Sequence, residues 1–133
     1  MTRIGGGGIG AGNQGERRLT PVHVTAAIAG TTTVTVDIQP PAGETWVVYV
    51  SASGDYPSTN SGGVMVYNWD GTNYFGAISQ EVPMGIGEAP GGFPIAGVGG
   101  WFRITNTNYL RIRWRNACAT TGVRGHSYFG WKE

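Results

Sequence analysis

Lysine, cysteine and charge are all scarce in this chain. Lys132 is the single lysine and Cys118 the single cysteine. A lone thiol excludes an intrachain disulfide framework and a thiolate metal cluster. No apolar run approaches the roughly 20 residues of a membrane-spanning helix, and no N-terminal stretch has the apolar core of a signal peptide. The expectation is a soluble chain made in a cytoplasm, with no membrane partner. Charged residues make up 13% of the 133 positions, about half the usual share of ~25%, so Gly, Thr, Ser and Asn must cover much of the surface. A net charge of +1 lacks the basic excess of a nucleic-acid binder. No group of His, Cys, Asp and Glu has metal-ligand spacing, and His23 and His126 fall on different predicted strands. Asp55, Asp70, Glu81 and Glu88 read as loop residues, and no two are singled out as a catalytic carboxylate pair. Cys118 sits in a polar turn without a local activating motif. The reading is not an enzyme, with no cofactor, no metal and no nucleic acid.

Glycine is abundant and unevenly placed. Seven of the 24 glycines lie between Gly5 and Gly15, broken only by Ile9 and Ala11 among apolar residues. Residues 1–18 cannot bury enough apolar surface to offset their ordering entropy, so a flexible or extended arm is expected there. Within it Gly10-Ala-Gly-Asn-Gln-Gly15 matches a dinucleotide fingerprint as a string. No strand precedes it and no helix follows, so it carries no nucleotide site.

Residues 19–133 read as one β domain. Val22, Val24 and Ala26 alternate with polar or small neighbours, as do Val34, Val36 and Ile38. Pro40-Pro-Ala-Gly43 stops a strand. Trp46 to Val50 is apolar on both faces, which suits a central strand covered on its outer side by a second copy. Asp70-Gly71 is a hairpin signal between Val64–Trp69 and Tyr74–Ser79. Val82 to Gly100 shows no clear period. Val123 to Trp131 closes the chain as a last strand. Seven or eight short strands without a capped helical period predict an antiparallel β-sandwich or jelly roll.

Trp101 to Arg115 reads as a hairpin about an Asn/Thr turn. One face would carry Phe102, Ile104, Leu110, Ile112 and Trp114. The other would carry Trp101, Arg103, Thr105, Tyr109, Arg111, Arg113 and Arg115. If Thr105 opposes Tyr109, Arg103 opposes Arg111, and like charges placed opposite each other are destabilising. Arginines arranged so would be presented to another molecule. Eight of the nine basic residues are Arg, the cation favoured at interfaces. The expected interface set is Trp101, Arg103, Tyr109, Arg111, Arg113 and Arg115, with Trp46, and with Ile4 and Ile9 from the arm. Trp46, Trp69 and Trp114 can alternatively fill the core, and a sandwich rich in Trp can also present stacking platforms to sugars.

Asp37-Ile-Gln-Pro-Pro-Ala-Gly-Glu-Thr-Trp46, Val66-Tyr-Asn-Trp-Asp-Gly-Thr72 and Thr105-Asn-Thr-Asn-Tyr-Leu-Arg111 together resemble a group of small virion proteins of tailed phages. The resemblance covers about residues 31–131 and consists of structural turns. It implies a jelly-roll-like sandwich, commonly a homotrimer, that binds the major capsid protein lattice from outside as a decoration (cement) protein. The location implied is the capsid surface of the virion, after synthesis in the host cytoplasm. The alternatives are a tail or baseplate component, a carbohydrate-binding β-sandwich module and, from another class, a small hydrolase.

Overall fold

Asp70-Gly71 is the tip about which the eight described strands are wound. In the computed structural model, Gly71 has φ +97°. The Asp70 carboxylate accepts from the backbone N–H of Thr72 at 2.8 Å and of Asn73 at 2.7 Å. These bonds favour the ionised carboxyl and hold its pKa below the ordinary value. From this tip, strands pair back in nested order. The structure describes residues 17–56, 62–82 and 95–133. The expectations for residues 1–16, including Ile4 and Ile9, lie outside the described residues.

The strands are β1 (Val22–Ile28), β2 (Thr32–Ile38), β3 (Thr45–Asp55), β4 (Gly62–Trp69), β5 (Tyr74–Val82), β6 (Ile95–Thr105), β7 (Tyr109–Asn116) and β8 (Gly122–Lys132). They form two antiparallel four-stranded sheets, ordered β1-β8-β3-β6 and β2-β7-β4-β5. Thus β1 pairs with β8, β2 with β7, β3 with β6 and β4 with β5, a long hairpin rolled into a jelly roll. Apart from the β4–β5 hairpin, each connection carries the chain from one sheet to the other.

This topology corrects the expected hairpin. Thr105 and Asn108 do close a tight turn, the Thr105 N–H donating to the Asn108 carbonyl at 2.8 Å. However, β6 continues into one sheet and β7 into the other. Arg103 pairs in register with Val47, and Arg111 with Asp37 and Tyr67. The two arginines therefore stand on different sheets and do not oppose each other. Ile95 to Gly100, part of the stretch without a clear period, is strand. Its glycines carry no side-chain period, and β3 supplies the ladder that holds it.

The inner faces follow the alternation. Ile104, Leu110, Ile112 and Trp114 are fully buried with Val48, Val50, Val64 and Val66, and Phe102 packs against them. Burying one such aliphatic side chain stabilises the fold by about 1.5–3 kcal/mol. The Trp114 indole N–H reaches across the core and donates to the Ser53 carbonyl at 2.8 Å, tying the sheets together. At one end, buried Asn116 organises two turns. Its amide donates to the carbonyls of Ile28 and Thr120, and its oxygen accepts from the Cys118 N–H at 2.9 Å. Pro40-Pro-Ala-Gly43 closes as expected, with Glu44 N–H on the Pro41 carbonyl and Gly43 at φ +85°, the left-handed position that a type II turn reserves for glycine.

Candidate interaction faces

Each sheet turns one face to the core and one outward, so the fold offers two broad outer surfaces. They differ sharply in chemistry.

The β2-β7-β4-β5 sheet carries the arginines of β7. Because Leu110, Ile112 and Trp114 point inward, Tyr109, Arg111, Arg113 and Arg115 point out. Arg111 is held within its own sheet. Its Nε and Nη2 bond the two oxygens of Asp37 at 2.7 and 3.0 Å, and its guanidinium lies 4.7 Å from the centre of the Trp69 ring. The bond to Asp37 raises the Arg111 pKa above its ordinary value. Arg113 lies between Thr35 and Met65, and Arg115 between Thr33 and Gly63. Neither has an ion-pair partner among the described residues. Tyr67 packs edge-on to Trp69 and lies 5.2 Å from Tyr74, extending the face with aromatic surface.

The β1-β8-β3-β6 sheet is banded instead. Phe129, Tyr49 and Trp101 align across β8, β3 and β6, and the next row is Trp131, Val47 and Arg103. Trp101, Phe129 and Trp131 are 53%, 50% and 45% exposed, well above what a core aromatic shows. Tyr49 and Phe129 stack at 5.7 Å, whereas Trp101 and Trp131 are inclined at 53°. Arg103 belongs to this band and pairs with Glu133 through an Nε contact of 2.9 Å. Toward the other end the band gives way to small polar residues. One row runs His23, Ser127, Ser51, Gly99, and the next Thr25, Gly125, Ser53, Gly97. A depression of about 340 Å³ opens over the β1, β8 and β3 part of these rows.

The expected interface residues are thus divided. Tyr109, Arg111, Arg113 and Arg115 share one outer face, and Trp101 and Arg103 share the other. Trp46 points to the inner side, where it packs against the core, its indole N–H donating to Glu44 Oε1 at 2.9 Å. Of the tryptophans considered for the core, Trp114 fills its centre and Trp69 lies outside under Arg111. Phe129, Trp131 and Tyr49 were missed as an exposed cluster. Phe129 and Trp131 sit at alternate positions of the last strand, and that spacing was the available signal.

Inside the sandwich, β8 carries an arginine and a histidine where alternation suggests apolar residues. The Arg124 guanidinium lies 5.1 Å from the Trp114 ring centre, and the His126 ring 5.6 Å from it. Arg124 Nε and Nη1 and His126 Nδ1 are buried without a hydrogen-bond partner. Burial lowers the His126 pKa, reinforced by the charge of Arg124 and by His23. Cys118 is buried, and no cluster of three metal-ligating side chains exists among the described residues.

No family model matches this chain, and no curated protein does. A solved structure described as "Bacillus endospore appendages form a novel family of disulfide-linked pili" is similar over 84% of this chain and 88% of its own. The identity is 16% and the TM-score 0.35, too slight a likeness to carry an argument.

Proposed function

We propose that this chain is a structural virion protein, a decoration protein that binds the outside of a phage capsid lattice, in the homotrimeric form that the sequence resemblance implies. The observation that carries this reading is the arginine face. Arg113 and Arg115 project from a central strand, without an ion pair among the described side chains; Thr33, Thr35 and Met65 flank them, and Tyr67, beside Arg111, leads on to Trp69 and Tyr74. Arginine and aromatic residues on a surface otherwise poor in charge are the composition of an interface core. Carboxylates or main-chain carbonyls of a lattice would complete charge-assisted bonds there. The many identical sites of a particle would add avidity without any strong single contact.

The test is binding to undecorated particles. Purified chain should saturate them, and Arg113→Glu with Arg115→Glu should lower the affinity by about a hundredfold, the scale of losing two charge-assisted contacts. High salt should weaken binding of the natural chain in the same direction. Undiminished occupancy by the double variant, with a normally folded subunit, sinks the reading.

A further inference from the structure

The depression on the opposite sheet has a chemistry of its own. Its floor is Ser51, Ser53, Thr25 and Ser127, with His23 at one edge and Asp55 beyond. The Ser51 and Ser127 hydroxyls lie 2.9 Å apart, and only one of them can donate to the other. The second proton is left to point at whatever lies above. The next outward row along β3 and β8, beyond Ser51 and Ser127, is the stacked pair Tyr49 and Phe129. A volume of about 340 Å³ falls at the lower end of the range for small-ligand sites, roughly 300–1,000 Å³.

Gly125 lies at the centre of this floor, and the fold does not require a glycine there. A Cβ at Gly125 would lie 3.5 Å from Ser53 Oγ and from the Val24 carbonyl, ordinary contact distances. Its φ is not in the left-handed region. Gly130, five residues along the same strand, is different, because a Cβ there would collide with the Val47 main chain. Glycine inside a strand costs stability, and where neither packing nor φ demands it, a site of close approach by a ligand is one recurrent reason for it.

From these features we infer that the outer face of the β1-β8-β3-β6 sheet binds a carbohydrate chain, laid across the strands with one sugar ring against Tyr49 and Phe129. A sugar has an apolar C–H face and a hydroxyl-bearing rim. The adjacent aromatic row suits the first, and the Ser, Thr, His and Asp groups suit the second, since each hydroxyl donates and accepts. A peptide cannot add as a strand over the floor, because the main-chain groups of β8 and β3 are already paired on both sides, and addition at the edge of β1 would lie beside the floor rather than on it. The inclination of Trp101 to Trp131 excludes a flat platform for a crystalline polymer surface, whereas a single chain needs only one ring face at each contact. This inference goes beyond capsid attachment and uses the other sheet, so either reading can fail alone.

The experiment is a titration of the full-length, isotope-labelled chain with four neutral hexasaccharides, cellohexaose, laminarihexaose, xylohexaose and the N-acetylglucosamine hexamer, followed by amide chemical shifts. At least one should shift residues of the floor together with Tyr49 and Phe129 while leaving β7 unmoved. Gly125→Leu, whose side chain would fill the depression without a main-chain clash, should abolish the shifts with the melting temperature kept. Tyr49→Ala should weaken binding about tenfold. Absence of shifts with all four sugars overturns the inference, as does binding unchanged in Gly125→Leu. Shifts of these residues that depend on protein concentration alone would assign the face to a second copy and equally overturn it.

Discussion

The two outer faces are built from the same kind of strand, yet one is filled and the other is hollow. On the β2-β7-β4-β5 sheet, long side chains lie across one another, and Arg111 is clamped between Asp37 and Trp69. On the β1-β8-β3-β6 sheet, an aromatic band stops at two rows of Gly, Ser and Thr. A strand fixes which way its side chains point, while the surface made depends on which residues the register sets side by side. Filled surfaces offer fixed charge and ring area to a large partner. A hollow next to a row of rings offers a place to a thin one.

The contrast can be broken most severely at β8. Gly130→Ala should destabilise the chain by about 3 kcal/mol or more, because the new methyl meets the Val47 main chain and forces β8 from β3. Gly125→Ala should change stability by no more than about 0.5 kcal/mol, or raise it, since the methyl is accommodated. Urea unfolding of both variants measures the difference, and equal losses would mean that the hollow is a packing requirement after all.

On the filled face, Arg111→Ala should cost about 1 kcal/mol, because the bidentate pair is about one-quarter to one-third exposed, at 26% and 34%. Arg113→Ala should cost close to nothing in the free subunit. A double-mutant cycle of Arg111 with Asp37 should recover most of the Arg111 effect as coupling. A free-subunit loss at Arg113 as large as that at Arg111 would erase the distinction between an arginine that serves the fold and one left for a partner.

Near neutrality the response to acid should come from the β1-β8-β3-β6 sheet, since both histidines of the chain, His23 and His126, lie on β1 and β8. His126 has its folded pKa below the unfolded one. As pH falls the unfolded chain takes up the proton first, so stability is full above the unfolded imidazole pKa and declines below it, until the folded pKa is passed. The urea midpoint should therefore drop as the pH falls below about 6.5, and His126→Gln should flatten the slope. An unchanged slope in that variant would assign the acid response elsewhere.

The smallest effect is expected at Arg103→Ala. Its pair with Glu133 has side chains 70% and 41% exposed, and such pairs contribute about 0–1 kcal/mol. A loss above that range in thermal unfolding would show that the aromatic band depends on Arg103 for its arrangement.

Much of the architecture was legible residue by residue. Period-two alternation identified Ile104, Leu110, Ile112 and Trp114 as inward-facing, because a strand turns successive side chains to opposite sides whatever its partner. Asp70-Gly71 and Pro40-Pro-Ala-Gly43 announced their turns, since the backbone there needs a φ or a side-chain cap that few residues supply. Strand partners were not legible in the same way. Alternation says which side of a strand is apolar and nothing of which strand lies beside it, so the turn at Thr105–Asn108 looked like a hairpin when it is a crossing between sheets.

By itself, then, the sequence determined an all-β chain, its turns, and which residues of β2, β6 and β7 face the core, all consequences of local backbone sterics and burial. Only the tertiary structure decided that Arg103 and Arg111 stand on different sheets, that Arg111 meets Asp37, and that Gly125 lies between Thr25 and Ser53 on the floor of a depression. Those neighbours come from β1, β3 and β8, as many as 100 residues apart in the chain. Pairing at such separation depends on the total burial of the assembled roll, which no local stretch encodes.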